Sequence, residues 1–289
     1  MKLVRGAGAR SAFIVGTGKN VGKTVTMRAM YEAAYGAGLR VGLASVGRDG
    51  EAMDAGDSQP KPRLFLRPQT LVATAREVVP ASPASEIVAL GDLHTAAGGL
   101  IFVRVRTATH YELVGPPTAS GMRQTVERLC AQTDIAFVDG AIDRVAALAG
   151  GSDAIVVACG ASAAPTMQEA VNGVSALVAR LRIAPYDPAR EWFAIEGALT
   201  ASTAAALLAR REQRQVVVRD PTQIALTGKA AARVFATLDI RCERALHVVA
   251  TTVASIGRDR SFEPLTFLRA VAAATNLPTF DVYAGMRAA

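Results

Sequence analysis

The chain alternates between short, almost wholly apolar runs and longer stretches in which apolar residues recur every three or four positions. Runs of the first kind, at 12–15, 40–46, 134–139 and 152–158, predict strands buried on both faces, as in a parallel sheet. Stretches of the second kind predict a helix over 25–34, ended by Gly36 and Gly38, and another over 122–131 with Thr118 or Ser120 as N-cap. A third covers 166–181. A helix between two buried strands implies a right-handed parallel crossover. Between 47 and 121 the pattern changes. Residues 54–62 carry two prolines and predict a mobile loop able to close over a substrate. A short strand is expected at 63–66, a helix over 70–79, and strands at 86–90, 99–106 and 111–114. That sequence of elements reads as an inserted β-meander rather than another βαβ unit.

Pro185, Tyr186, Asp187 and Pro188 mark a boundary. Beyond it, strands expected at 192–195, 215–219, 246–251 and 279–282 alternate with helices over 202–211, 229–238 and 264–275, which implies a second parallel sheet. The expected domains are therefore 1–184 and 185–289. No second glycine-rich phosphate motif and no repeat of 20–50 residues is found.

The most informative stretch joins the first strand to the first helix: Gly16, Thr17, Gly18, Lys19, Asn20, Val21, Gly22, Lys23, Thr24. Glycines let successive N–H groups turn toward an anion, and the helix dipole adds its positive end there. Lys23 would reach the β- and γ-phosphates of a nucleotide, and Thr24 would place its hydroxyl on Mg²⁺. The usual spacing G-x-x-x-x-G-K-[ST] asks for glycine at 17, where this chain has Thr17, so the loop is one residue longer. A turn that merely joins strand to helix is the plainer reading. The strand before and the helix after argue against it, as does lysine usage: only five lysines occur, at 2, 19, 23, 61 and 229, and two lie in this loop. Lys19 has the alternative of simply facing solvent. The expected fold class is α/β: a P-loop NTPase with a parallel sheet and inserted β-meander, plus a smaller C-terminal α/β unit.

Acidic residues at strand ends supply the rest of the candidate chemistry, because ligands of open parallel sheets gather at the carboxyl ends of strands. Asp139 ends an apolar strand, the placement a Walker-B carboxylate needs to share Mg²⁺ with Thr24. Asp49 and Glu51 follow the second strand and are candidates for a metal-water or substrate contact; a polar turn explains them equally. The candidate catalytic residues are Lys23, Asp49 and Asp139. The nucleotide contacts are 16–24 together with Thr26, and the metal set is Thr24, Asp139 and Glu51. Glu196, Asp220, Thr251, Thr252 and Asp281 mark a second ligand face by the same rule, although turn chemistry accounts for each alone. His94, His110 and His247 show neither metal spacing nor a neighbouring nucleophile signature. The absence of Asn-Lys-x-Asp tilts the base from guanine toward adenine, so ATP and Mg²⁺ are the expected cofactors.

Composition narrows the function classes. The 289 residues are 51% hydrophobic, and no apolar run approaches a membrane span. No secretory-signal pattern opens the chain, so the cytoplasm is the expected compartment. Three widely spaced cysteines, Cys130, Cys159 and Cys242, indicate neither a disulfide framework nor a zinc site. The net charge of +7 comes from scattered arginines rather than a basic stripe, which argues against nucleic acid.

The loop resembles that of dethiobiotin synthetase, which runs Gly-Thr-x-x-x-Val-Gly-Lys-Thr as 16–24 do here. Taken together, 14–26, 44–51, 137–144, 195–200 and 278–282 resemble the accessory, reactivase-type subunit that accompanies lysine 5,6-aminomutase. That resemblance implies an ATP-dependent helper of an adenosylcobalamin- and pyridoxal-phosphate-dependent aminomutase. Such a helper exchanges damaged cobalamin for intact, in company with a second, MutS-like ATPase subunit in some systems. The sequence itself shows no cobalamin or pyridoxal-phosphate site. The alternative is an ATP-dependent ligase acting on a small carboxylate, as dethiobiotin synthetase does.

Overall fold

Continuous apolar runs have become strands with no solvent face, and they fix where the rest of the chain packs. The computed structural model describes residues 4, 6–46, 64–140, 151–226, 228–257 and 259–288. They fall into two units, Met1–Val15 with Lys23–Ala147, and Gly16–Gly22 with Leu148–Ala289.

The first unit runs β1 (Ser11–Gly16), α1 (Lys23–Gly36), β2 (Val41–Ser45), β3 (Leu64–Leu66), β4 (Leu71–Ala75), β5 (Ser85–Thr95), β6 (Gly98–Val105), β7 (Thr109–Tyr111), α2 (Ala119–Gln132) and β8 (Ile135–Asp139). Its sheet has the order β1-β8-β2-β4-β6-β5. The first four strands are parallel, with Ser11 beside Ala136, Val41 beside Ile135 and Gly42 beside Leu71. The last two are antiparallel additions. Strands β3 and β7 form a separate antiparallel ribbon. Helix α1 ends where expected: Gly38 takes φ +75° and Leu39 N–H donates to Ala34 O at 3.1 Å. Tyr31 ties this helix down. It is buried, shares a 2.9 Å hydrogen bond with Thr70 Oγ1 and accepts from Arg67 N–H at 2.8 Å. Burial raises its phenol pKa above the usual value. Thr118 proves to be the cap of α2, accepting from Gly121 N–H at 3.1 Å.

The second unit runs β9 (Ala154–Gly160), α3 (Met167–Leu181), β10 (Trp192–Ala194), α4 (Ala201–Ala209), β11 (Gln215–Val218), α5 (Gly228–Thr237), β12 (Ile240–Cys242), β13 (His247–Ala254), α6 (Pro264–Thr275) and β14 (Thr279–Asp281). Strands β9, β13 and β14 lie side by side and parallel. A smaller parallel sheet, β10-β11-β12, encloses its own core with Leu199, Leu207, Val216, Val218, Val234 and Cys242. Helix α3 starts on a capping box in which Glu169 N–H donates to Thr166 Oγ1 and Thr166 N–H to Glu169 Oε2.

Three expectations need correction. Residues 70–79 are not a helix: Leu71–Ala75 are all buried and form β4, followed by a single 3₁₀ turn over Arg76–Val78. A short run rich in Leu and Ala satisfies both periods, and burial on two faces decided for the strand. The expected meander is only half formed: β5 and β6 pair in sequence, but the strand expected at 111–114 ends at Tyr111 and pairs with β3 instead of β6. The four C-terminal strands do not share one sheet. Strands β13 and β14 join β9, while β10 and β11 are completed by β12, a three-residue strand absent from the expectation. Strand β13 buries six of its eight residues, as a central strand must. Among the described residues no helix is long and apolar enough to cross a membrane.

Candidate functional site

The glycine-rich loop leaves β1 at Gly16 and turns into α1 at Lys23. Thr17 N–H donates to Ala158 O on β9 at 3.1 Å, anchoring the first turn of the loop. Gly18, Lys19 and Asn20 are exposed at its crest, where Asn20 adopts φ +55°. Val21 is buried beneath them.

Two glycines set the loop's height above the strands. At Gly22, with φ +90°, a side chain would bring Cβ to 2.7 Å from Cβ of Ala254 at the end of β13. At Gly160, the last residue of β9, Cβ would lie 2.7 Å from Cα of Val21. Both contacts are closer than real Cβ atoms show, so only hydrogen fits at either place. The loop is thereby seated on the carboxyl ends of β9 and β13.

In the first unit, Thr24 on the opening turn of α1 donates its hydroxyl to Asp139 Oδ2 at 2.9 Å. Asp139 is the last residue of β8 and half-buried. Its backbone is fixed on the adjoining strand, since Val46 N–H donates to Asp139 O at 2.8 Å; the next residue, Gly140, donates to Ile14 O at 3.0 Å. Strand order therefore delivers a carboxylate to the amino end of a helix whose second residue is a threonine. Lys23 is half-exposed at the head of the same helix, whereas Thr26 is fully buried in it. Asp49 and Glu51 lie outside the described residues.

The other strand-end residues separate by role. Glu196 is exposed. Asp220 is buried and holds a turn, accepting from Thr222 N–H at 3.0 Å, from the Thr222 hydroxyl, and from Arg219 Nε at 3.3 Å. Thr251 pairs its hydroxyl with that of Thr279 at 2.6 Å within the core, and Thr252 is buried beside it. Asp281 behaves differently. Its Oδ1 accepts from Tyr283 and Ala284 N–H, each at 2.8 Å, while Oδ2 is buried without a protein partner. Ser162 and Ser255 likewise carry buried hydroxyl oxygens with no protein partner. Ser255 follows Ala254, which touches the loop, and Asp281 precedes Val282, whose Cγ2 would lie 3.9 Å from a Cβ on Gly22. Unpaired buried polar atoms are uncommon and tend to mark functional places. Ser162 and Ser255 went unnoticed in the sequence because isolated serines in loops carry no pattern; the strand-end rule applied to β9 and β13 would have found them.

Cysteine chemistry does not enter. Burial pushes the Cys159 thiol up to about 12 and, with the carboxylate of Asp220 adding to it, the Cys242 thiol up to about 11, so neither supplies a thiolate. His94 is exposed on β5, His110 packs edge-on to Phe65 at 5.2 Å, and His247 is exposed at the start of β13. Among the described residues no three His, Cys, Asp or Glu side chains group as a metal cage. No protein-family model matches the chain, and no curated protein sequence matches it.

Proposed function

We propose that the chain is a P-loop nucleotide hydrolase that uses Mg-ATP to service an adenosylcobalamin-dependent aminomutase of the lysine 5,6-aminomutase type. The observation that carries the nucleotide part is the 2.9 Å hydrogen bond from Thr24 to Asp139, a hydroxyl and a carboxylate set together at the head of a helix entered through a glycine loop. Mg²⁺ takes oxygen ligands, keeps several waters and commonly uses one or two protein groups beside the phosphates of its nucleotide. One hydroxyl and one carboxylate fit that demand. Bound Mg²⁺ supplies neutralisation of the charge that develops on the phosphate oxygens.

The remaining roles belong to the chain. The loop's N–H groups and the amino end of α1 hold the phosphates, and Lys23 sets its ammonium against them. Thr24 and Asp139 are the residues that would hold the Mg²⁺, through the hydroxyl and the carboxylate that now bond to each other. The aminomutase part rests on the resemblance carried by 14–26, 44–51, 137–144, 195–200 and 278–282.

A nucleotide can drive remodelling only through different affinities for two states, so nucleotide and partner must be coupled in both directions. Inactivated aminomutase is expected to raise ATP turnover, and ATP to restore its activity when fresh adenosylcobalamin is supplied. Lys23→Ala fails in both assays while remaining folded. Rapid turnover with a small carboxylate, unchanged by aminomutase, would instead establish the ligase chemistry of dethiobiotin synthetase.

A further inference from the structure

Strand β4 is apolar at every position but one: Leu71, Val72, Ala73, Thr74 and Ala75 are all buried, and Thr74 has no exposed surface. A hydroxyl in such a place costs stability unless it is hydrogen-bonded, and valine would fill the same space without that cost. Thr74 uses its hydroxyl in both senses. It donates to Glu112 O at 2.9 Å and accepts from Val114 N–H at 2.9 Å. The segment held in this way, residues 112–117, joins β7 to α2 and belongs to no strand. It ends in Pro116 and Pro117, whose rings fix φ, and Val114, Gly115 and Pro116 are buried. This is a stiff strap rather than a surface loop.

Gly115 marks where the strap lies. A Cβ there would fall on the carbonyl oxygen of Ser45, and it would lie 3.0 Å from the Ser45 carbonyl carbon and 3.2 Å from Met122 Cε. Only glycine therefore lets the strap press on the carboxyl end of β2. Ser45 is the last residue of β2 and stands directly beside Asp139 on β8. The next residue, Val46, donates its N–H to Asp139 O at 2.8 Å. Thr74, the strap, the end of β2 and Asp139 are thus joined by an unbroken series of contacts, and Asp139 accepts the Thr24 hydroxyl. The two sides of Asp139 differ. On one it pairs with Ile14 of β1, a strand that continues to Gly16. On the other, β2 ends level with it, so placement there depends on what covers the strand end.

We propose that Thr74 and Gly115 are positioning residues for Asp139: through the strap they fix the end of β2, and with it the carboxylate that would hold Mg²⁺. Placement of Asp139 stands on the geometry alone, whereas its consequence for Mg²⁺ rests on the nucleotide reading above. Two substitutions at Thr74 separate placement from packing. Thr74→Val keeps the volume and removes both hydrogen bonds; Thr74→Ser keeps both and removes a buried methyl. If Thr74→Val does not fold, Thr74→Cys, whose thiol is a weak donor and acceptor, takes its place. Hydrogen exchange at the Val46 amide, followed by NMR against amides elsewhere in the same sheet, reports the seating of Asp139. It is expected to quicken about tenfold in Thr74→Val, the scale of one lost hydrogen bond, and to keep its wild-type rate in Thr74→Ser. The Mg²⁺ concentration that half-saturates ATP hydrolysis should rise by about tenfold in Thr74→Val and stay unchanged in Thr74→Ser. A folded Thr74→Val with wild-type exchange at Val46 would overturn the proposal. So would effects that follow the loss of stability rather than the loss of the hydroxyl, or quickened exchange with an unchanged Mg²⁺ requirement. A wild-type chain that neither binds nor hydrolyses Mg-ATP refutes the nucleotide reading instead, and exchange at Val46 then still decides the placement.

Discussion

Replacing Gly160 by alanine isolates the contact on which the loop's position depends. The residue has φ −130° and ψ +160°, an extended conformation that alanine adopts freely. With no contact to consider, Gly160→Ala would stabilise the protein by about 0.4–1 kcal/mol through the unfolded chain. The added methyl, however, sits 2.7 Å from Val21 Cα, 3.0 Å from its carbonyl carbon and 3.1 Å from its oxygen, where ordinary contact begins at 3.4 Å. Backbone, not a flexible side-chain tip, must therefore recede by about 0.7 Å. Overpacking of this kind costs about 1–3 kcal/mol, which outweighs the gain, and each kcal/mol lowers the midpoint by roughly 2–4 °C in a chain of this order of size. The recoil falls on Val21, between the exposed crest of the loop and Lys23. On the proposed nucleotide reading, displacing the loop's N–H groups by most of an ångström is expected to weaken Mg-ATP binding by ~10-fold or more, about 1.4 kcal/mol. Titration calorimetry with Mg-ATP and a thermal scan test both parts on one sample. A variant with a raised midpoint and unchanged affinity would show that β9 does not support the loop, and the reasoning from close approach would fail.

Asp139→Asn is expected to leave nucleotide affinity within about tenfold, about 1.4 kcal/mol, while removing most hydrolysis, since it deletes charge and keeps shape; wild-type turnover in the variant would move the metal-binding role to another acid, with Asp49 the first to examine. Glu212 is held down to about 2 by hydrogen bonds from the Arg214 side chain and backbone, with the charges of Arg214 and Arg210 adding to it. A depressed carboxyl stabilises the fold above its unfolded pKa, roughly 4.3, and loses that contribution as pH falls through about 2. Denaturation midpoints of wild type and Glu212→Gln should therefore differ at pH 6 and converge toward pH 2, and a gap that widens on acidification would contradict the assignment.

What the sequence disclosed depended on how local the signal was. The buried strand at 12–15, the glycine loop, the helix after it and the acid ending 135–139 are each set by adjacent residues, and the structure has them in place. The pairing of Thr24 with Asp139 follows from strand order, because β8 lies next to β1. Non-local matters were less legible. Leu71–Ala75 became a strand because of what covers its two faces, which no window of ten residues contains. Long-range pairing, which no local window contains, sends β10 to the small sheet and β13 to β9. The orphan oxygens of Ser162 and Ser255 were invisible for the same reason: being unpaired is a property of surroundings.

The two buried thiols have a practical use that their inertness creates. Cys159 sits in β9 under the loop and Cys242 in β12 of the smaller sheet, and both remain protonated at neutral pH. An alkylating reagent reaches either one only while its own sheet is open, so the rates at which the two residues are modified measure the opening of the two sheets separately. Mass spectrometry of a timed alkylation would resolve them in a single unmodified protein, and adding Mg-ATP would show whether a ligand at the loop slows the opening around Cys159, around Cys242, or around both.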